Sequence, residues 1–353
     1  MKKVCLIGQF PPPVHGLSKA LDTIIKSGYM NNKYELEHIN IKDNKKFVGH
    51  LTQLNRSDAD IYYFTISHSK FGNLRDMIIL WALLKKKKRV IIHYHGGRYK
   101  ELYQSLNILQ KQINRKLIDQ TDIVIVLGNS LKGLFSDVID AGKIRICENY
   151  IEDEALLDNF EFEIKINRLY QGDMEVLYLS NFIKSKGYQD VLQAANRLKN
   201  ANVRFHFAGK FFEEQDKEEF MDYVKQHGLE NNVLYHGVVM GEDKKKLFER
   251  CNIFVLPTYY PNEGQPISII EAMGNGLSII TTNHAGIPDI VSSRNGYIID
   301  KQAPDQIASA IQELMNNREY LVQHANENRL TTLMKFKEID YIKRLESIMD
   351  EVS

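Results

Sequence analysis

The chain has 353 residues, 43% hydrophobic and 26% charged. This is the balance of an ordinary globular protein, at a length that predicts two domains. Its 46 Lys and Arg offset 45 Asp and Glu to a formal charge of +1, which excludes a strongly basic nucleic-acid binder and an acidic disordered chain. Cys5, Cys147 and Cys251 are odd in number and lack metal-ligand spacing, so they read as small buried hydrophobes in a reducing cytosol. The apolar stretch Val4–Ile7 is too short for a signal peptide. The longest uncharged apolar run, Met77–Leu84, is far below the roughly 20 residues of a spanning helix.

In chain order, strand candidates fall at Val4–Gly8, Leu36–Ile41, Ile61–Ser67, Val90–Tyr94, Ile123–Leu127 and Ile144–Cys147. Helical patterns near 16–27, 71–84, 98–119 and 129–140 lie between them. The strands are continuous hydrophobic runs, as expected of parallel strands covered on both faces. The pattern recurs at Val176–Leu179, Val203–Ala208, Val233–His236, Ile253–Leu256, Ser278–Thr281 and Tyr297–Ile299, with helices near 187–199, 213–227, 241–251, 267–275, 304–316 and 318–327. The rhythm lapses over 151–172. A last apolar stripe runs from Leu330 to Met349.

These patterns predict an α/β protein of two Rossmann-like, doubly wound domains, 1–150 and 173–328. A connection at 151–172 joins them, and a terminal helix over 329–353 returns to the first. Ligand is expected in the cleft that two such domains form.

The first βα turn, Gly8 to Ser18, is neither a dinucleotide fingerprint nor a P-loop. Its three prolines make a stiff loop, and Gly16 allows close backbone approach at a helix start. The stretch Leu256 to Thr282 is denser in signals. A strand gives way to a polar aromatic loop, then Glu263-Gly264-Gln265-Pro266, then a short helix carrying Glu271. Proline suits a helix start, and the helix end offers free amides and a positive dipole. Two carboxylates there suit a ligand with both hydroxyls and phosphates. His93 and His95, two apart on a strand, are expected on opposite sides, one packed and His95 free to act.

Glu263 and Glu271 resemble the E-x7-E pair of retaining glycosyltransferases with the GT-B fold. EGQPISIIEAMGNGLSIITTNHAGIPDIV is similar to the signature of family 4, the glycosyl transferases group 1. PPPVHGLS, HYHGG, LYLSNFIKSKGYQDVLQA, VRFHFAGK and VLYHGVV follow in the family's order. The resemblance implies that Glu271 binds the ribose of a nucleotide-sugar donor. It implies that Glu263, with the Gly264 and Gln265 amides, contacts the donor sugar, and that Lys186 neutralises the diphosphate. Gly16 would approach the distal phosphate, His95 the transferred sugar, and Val238 and Val239 the base. Where the family carries an arginine this chain has Asn181, so Lys184 or Lys210 would have to compensate, or Lys186 act alone.

The implied reaction is hexosyl transfer with retention, front-face and without a metal or other cofactor, from an NDP-sugar (UDP-sugar favoured). The acceptor is a glycan or lipid-linked hydroxyl in polysaccharide or glycoconjugate synthesis. Asp58 and Asp60 read as a strand cap rather than a metal pair. Two other readings stay open: a nucleotide-sugar epimerase of the same fold, and a non-catalytic subunit of a transferase complex. The apolar 73–84 segment followed by Lys85 to Arg89 is either a buried crossover helix with a solvated turn or a peripheral contact with the inner face of the membrane. The expected location is cytoplasmic.

Overall fold

The computed structural model describes residues 1–12 and 16–353. Pro13, Val14 and His15, the middle of the proline-rich loop, lie outside the described residues. The chain forms two compact units. The first comprises Met1–Glu148, Asn262–Gln265 and Ile339–Ser353, and the second Asn149–Pro261 and Pro266–Glu338.

The first unit holds β1 (Lys2–Gly8), α1 (Gly16–Lys26), α2 (Gly28–Lys33), β2 (Tyr34–Asn40), α3 (Phe47–Arg56), β3 (Ile61–Thr65), α4 (Lys70–Lys85), β4 (Arg89–His93), α5 (Tyr99–Gln104), α6 (Ile108–Asp119), β5 (Ile123–Val126) and β6 (Ile144–Ile146). The sheet order is β2-β1-β3-β4-β5-β6, all parallel. Val90, Ile91, Ile92 and Val124 to Val126 are fully buried, as strands covered on both faces must be.

The second unit holds α7 (Asn159–Leu169), β7 (Met174–Leu179), α8 (Tyr188–Arg197), β8 (Val203–Ala208), α9 (Glu214–Gln226), β9 (Val233–Tyr235), α10 (Gly241–Arg250), β10 (Ile253–Leu256), α11 (Ile267–Gly274), β11 (Ser278–Thr282), β12 (Gly296–Ile299), α12 (Pro304–Asn316) and α13 (Arg318–Lys335). Its sheet runs β12-β11-β10-β7-β8-β9, again parallel. The order reverses beside β1 in one sheet and between β7 and β10 in the other. In such sheets ligands bind beyond the carboxyl ends of the strands at the reversal.

Several elements differ from expectation for local reasons. The pattern at 98–119 is two helices, because Asn107 and Gln110 form a reciprocal cap that starts α6 afresh. The segment 129–140 contains a 3-10 helix at Asn129–Phe135 in place of an α-helix. The acidic stretch within 151–172 contains α7, whose start is fixed by a capping box of Asp158 and Glu161. The stripe from Leu330 to Met349 is broken at Phe336, which is buried. The second unit keeps α13: Arg329 donates to the Gly274 and Leu157 carbonyls at 2.8 and 2.7 Å. α14 (Glu338–Glu351) belongs to the first unit from Ile339 onward. There Lys33 bonds Glu346 and Asp350 at 2.5 and 2.6 Å, and Cys147 Sγ lies 3.9 Å from the Tyr341 carbonyl.

Among the described residues no helix is long and apolar enough to cross a membrane. All three cysteines are buried and form no disulfide.

Candidate functional site

In the second unit the loops after β7 and β10 meet. Gly187 adopts φ +80°, and a Cβ there would lie 2.6 Å from the Pro257 ring, so only glycine allows this approach. The Tyr259 amide donates to the Ser185 carbonyl at 2.8 Å. This stitching sets Lys186 beside the aromatic loop, with its ammonium 5.0 Å from the centre of the Tyr260 ring. That is within range of a cation–π attraction.

α11 begins after Pro266, whose carbonyl accepts from the Ile269 amide. Glu271 lies one turn in and is 6% exposed. Its Oε1 accepts from Lys244 Nζ of α10 at 2.6 Å. The sequence reading missed Lys244. Its only signal was a three-lysine run on an amphipathic helix, which reads as a solvated face.

Asn181 is exposed, and its carbonyl accepts from the Tyr178 hydroxyl and the Ile183 amide. Lys184 is turned to α9, pairing Asp216 and Glu219 at 3.1 and 3.6 Å. It therefore does not stand in for the missing arginine. Lys210, whose carbonyl accepts from the Phe182 amide at 2.9 Å, is exposed on the adjoining loop. Val238 is 63% exposed after Gly237, and Val239 packs against the core edge.

In the first unit, Glu263, Gly264 and Gln265 sit over the ends of β4 and β5. Gln265 Nε2 donates to the Leu127 carbonyl at 3.0 Å. A Cβ on Gly264 would lie 2.7 Å from the His95 carbonyl oxygen, so a side chain there would push the segment off His95. Glu263 is 7% exposed. Thus His95 and the Glu263–Gln265 segment form one cluster. Gly16 is the exposed first residue of α1.

The expectation that His93 and His95 face opposite sides is wrong. Residues two apart on a strand share a face, and the two rings lie 4.0 Å apart. His93 is fully buried and bonds the Tyr63 hydroxyl through Nδ1. Burial, with the adjacent His95 adding to it, lowers the His93 imidazole well below its ordinary value. It is therefore neutral at pH 7 and backs the His95 ring. Among the described residues no three His, Cys, Asp or Glu side chains converge to hold a metal ion.

Comparison with known proteins agrees with these motifs. Residues 159–331 match the model of the family described as Glycosyl transferases group 1, and this segment belongs to that family. Capsular polysaccharide biosynthesis glycosyltransferase CapM of Staphylococcus aureus is 29% identical over 238 residues, 65% of this chain and 61% of CapM. Uncharacterized glycosyltransferase MJ1607 of Methanocaldococcus jannaschii is 25% identical over 218 residues, 58% of this chain and 54% of its own. The chain thus spans only about half to three fifths of the length of these relatives. Among solved structures, Alr3699/HepE of Anabaena in complex with UDP superposes with a TM-score of 0.78 at 16% identity, over 99% of this chain and 100% of that one. The fold is GT-B, built from two parallel six-stranded α/β units.

Proposed function

We propose that this protein transfers a hexosyl group from a nucleoside diphosphate to an acceptor hydroxyl, with retention, in polysaccharide or glycoconjugate synthesis. The observation that carries the reading is the cluster of His95 with Glu263, Gly264 and Gln265, followed eight positions after Glu263 by a buried carboxylate on α11. Glu263 and His95 contact hydroxyls of the transferred sugar. Glu271 accepts from the ribose hydroxyls, and the chain around Val238 borders the base. Lys186, the Gly16 backbone and the exposed Asn181 side chain face the diphosphate.

The acceptor oxygen forms a bond to the anomeric carbon as the bond from that carbon to the phosphate oxygen breaks. The acceptor's proton passes to the departing phosphate on the same face, which leaves the configuration unchanged. Negative charge grows on the diphosphate as the bond breaks. A fixed ammonium and fixed amides stabilise that charge most in the transition state. These groups do the work without a metal or other cofactor. UDP-sugars are the favoured donors, supported by the likeness to a fold whose solved examples hold UDP and UDP-glucose.

The acceptor is lipid-linked in this reading, with the reaction at the cytoplasmic face of the membrane. α4 supports it: Phe71, Leu74, Ile78 and Trp81 are 91%, 51%, 39% and 51% exposed, spaced along one side of the helix. The opposite side, including Ile79, Leu80 and Leu83, is buried. Lys85 Nζ stands 3.5 Å from the Trp81 ring centre, and Lys86 to Arg89 follow. The helix is therefore not buried all round, and an apolar strip with a basic end suits an anionic bilayer surface.

Thermal unfolding with a panel of UDP-, GDP- and dTDP-sugars tests the donor assignment, since a ligand of the native state raises the melting temperature. A rise with UDP-sugars alone is expected. No rise with any of the three overturns the reading.

A further inference from the structure

The first unit contains a cavity of about 650 Å³ beyond the carboxyl end of β2. It shares no residue with the cluster around His95 or with the loops near Lys186. Its lining includes His38 and Asn40 from β2, Lys42 and Lys46 from the turn that follows, and His50 and Gln53 from α3. We propose that this cavity is a binding site for a hexose phosphate, the phosphate held by Lys42 and Lys46 and the sugar hydroxyls by the imidazoles and amides. In the glycosyl-transfer reading this is the acceptor's anionic end, and to that extent the proposal rests on that reading.

Three observations carry it. His50 is 7% exposed, yet its Nδ1 has no hydrogen-bond partner among the described residues. A buried polar atom left unmade costs free energy, and here it lines a cavity where a ligand hydroxyl would satisfy it.

The polar groups around it are also already arranged. Asn40 Oδ1 accepts from the Lys42 amide at 3.1 Å and the Phe10 amide at 3.5 Å, which commits the oxygen and leaves the amide NH2 to donate. Lys42 Nζ donates to the Pro12 carbonyl at 2.6 Å, with two protons remaining. The His38 ring packs 4.8 Å from the ring of Phe10.

The charge balance is positive. Among the described residues Asp43 is the one carboxylate lining the cavity, and it accepts from the Lys45 amide at 2.9 Å, closing the Asn44–Lys46 turn. Against it stand two lysines, Lys42 and Lys46, while the nearby Arg75 guanidinium is paired with the buried Asp76 carboxylate at 2.7 Å and adds no net charge. Ammonium groups suit phosphate, while imidazoles and amides suit hydroxyls. The volume is within the range of small-molecule sites.

The test is calorimetric titration of the full chain with glucose 1-phosphate, galactose 1-phosphate and N-acetylglucosamine 1-phosphate, in saturating UDP so that the nucleotide site is filled. Binding of at least one is expected. Lys42→Gln/Lys46→Gln should weaken it by about tenfold or more, because two charge-assisted bonds are lost, while UDP affinity stays within about twofold. Glucose and inorganic phosphate alone should each bind more weakly than the hexose phosphate. No binding of any of the three, equal binding by the double variant, or binding of phosphate as tight as of the hexose phosphate overturns the proposal. If UDP itself does not bind, the transfer reading fails, and the same titration without UDP still decides the cavity.

Discussion

Lys244 of α10 donates to the carboxylate of Glu271 on α11 at 2.6 Å, and their side chains are only 18% and 8% exposed. An ion pair this shielded is costly to break from one side, because the partner is left as an uncompensated buried charge. It fixes the Glu271 side chain in place, and a carboxylate so held can accept from two vicinal hydroxyls.

Lys244→Met should therefore lower the unfolding free energy by about 2 kcal/mol, discounted from the usual cost because Lys244 keeps some contact with water. Lys244→Met/Glu271→Gln should recover most of that loss, since no charge remains buried. Urea unfolding of the wild type, the single variants and the double variant measures the coupling. A double variant as unstable as Lys244→Met contradicts the account.

Transfer should be insensitive to chelation. In the proposed reading, Lys186 and backbone amides supply the charge that a bridging cation would otherwise supply. Activity in EDTA should stay within about twofold of that in Mg²⁺ or Mn²⁺. Abolition by EDTA and rescue by either cation would show the diphosphate to be held another way.

The exposed face of α4 should bind anionic vesicles. Phe71→Glu/Trp81→Glu should weaken sedimentation with phosphatidylglycerol vesicles by about tenfold or more, through lost apolar burial and added repulsion. UDP affinity should not change. Equal binding to neutral vesicles, or no effect of the double variant, would remove the membrane from the account.

Lys165 of α7 is fully buried, and its ammonium donates to the Phe248 carbonyl. Burial lowers its pKa from 10.5 to about 7. Between those values the unfolded chain binds the proton and the folded chain does not, so stability rises with pH. Over that range the wild type should gain roughly 2–3 kcal/mol relative to Lys165→Met between pH 7 and about pH 9.5. Denaturant unfolding of both proteins at the two pH values measures this. A constant difference between them contradicts the assignment.

Strands were the most legible elements. Runs such as Val90–Ile92 and Ile123–Val126 are continuous because both faces are covered. Helix ends were less legible where they depend on side-chain caps. Asn107 restarts a helix inside a continuous pattern, and Asp158 starts α7 inside a stretch whose acidic composition reads as a connection.

Within the site, Glu263, Gly264, Gln265 and Glu271 could be located because they are close in sequence. The histidine arrangement was misread through strand geometry. The Lys244–Glu271 pair and the cavity beside His50 were not visible, since each joins elements whose approach is set by packing. Asn181 was legible as a departure, but the diversion of Lys184 to Asp216 depends on the position of α9.

The central claim is the division of labour between Glu271 and Glu263. Calorimetric titration of UDP, which carries ribose but no transferred sugar, into Glu271→Ala and Glu263→Ala tests it most directly. Glu271→Ala should lose about tenfold or more in affinity, the worth of hydrogen bonds to a charged acceptor, while Glu263→Ala stays close to the wild type. Equal losses, or a larger loss in Glu263→Ala, would contradict the account.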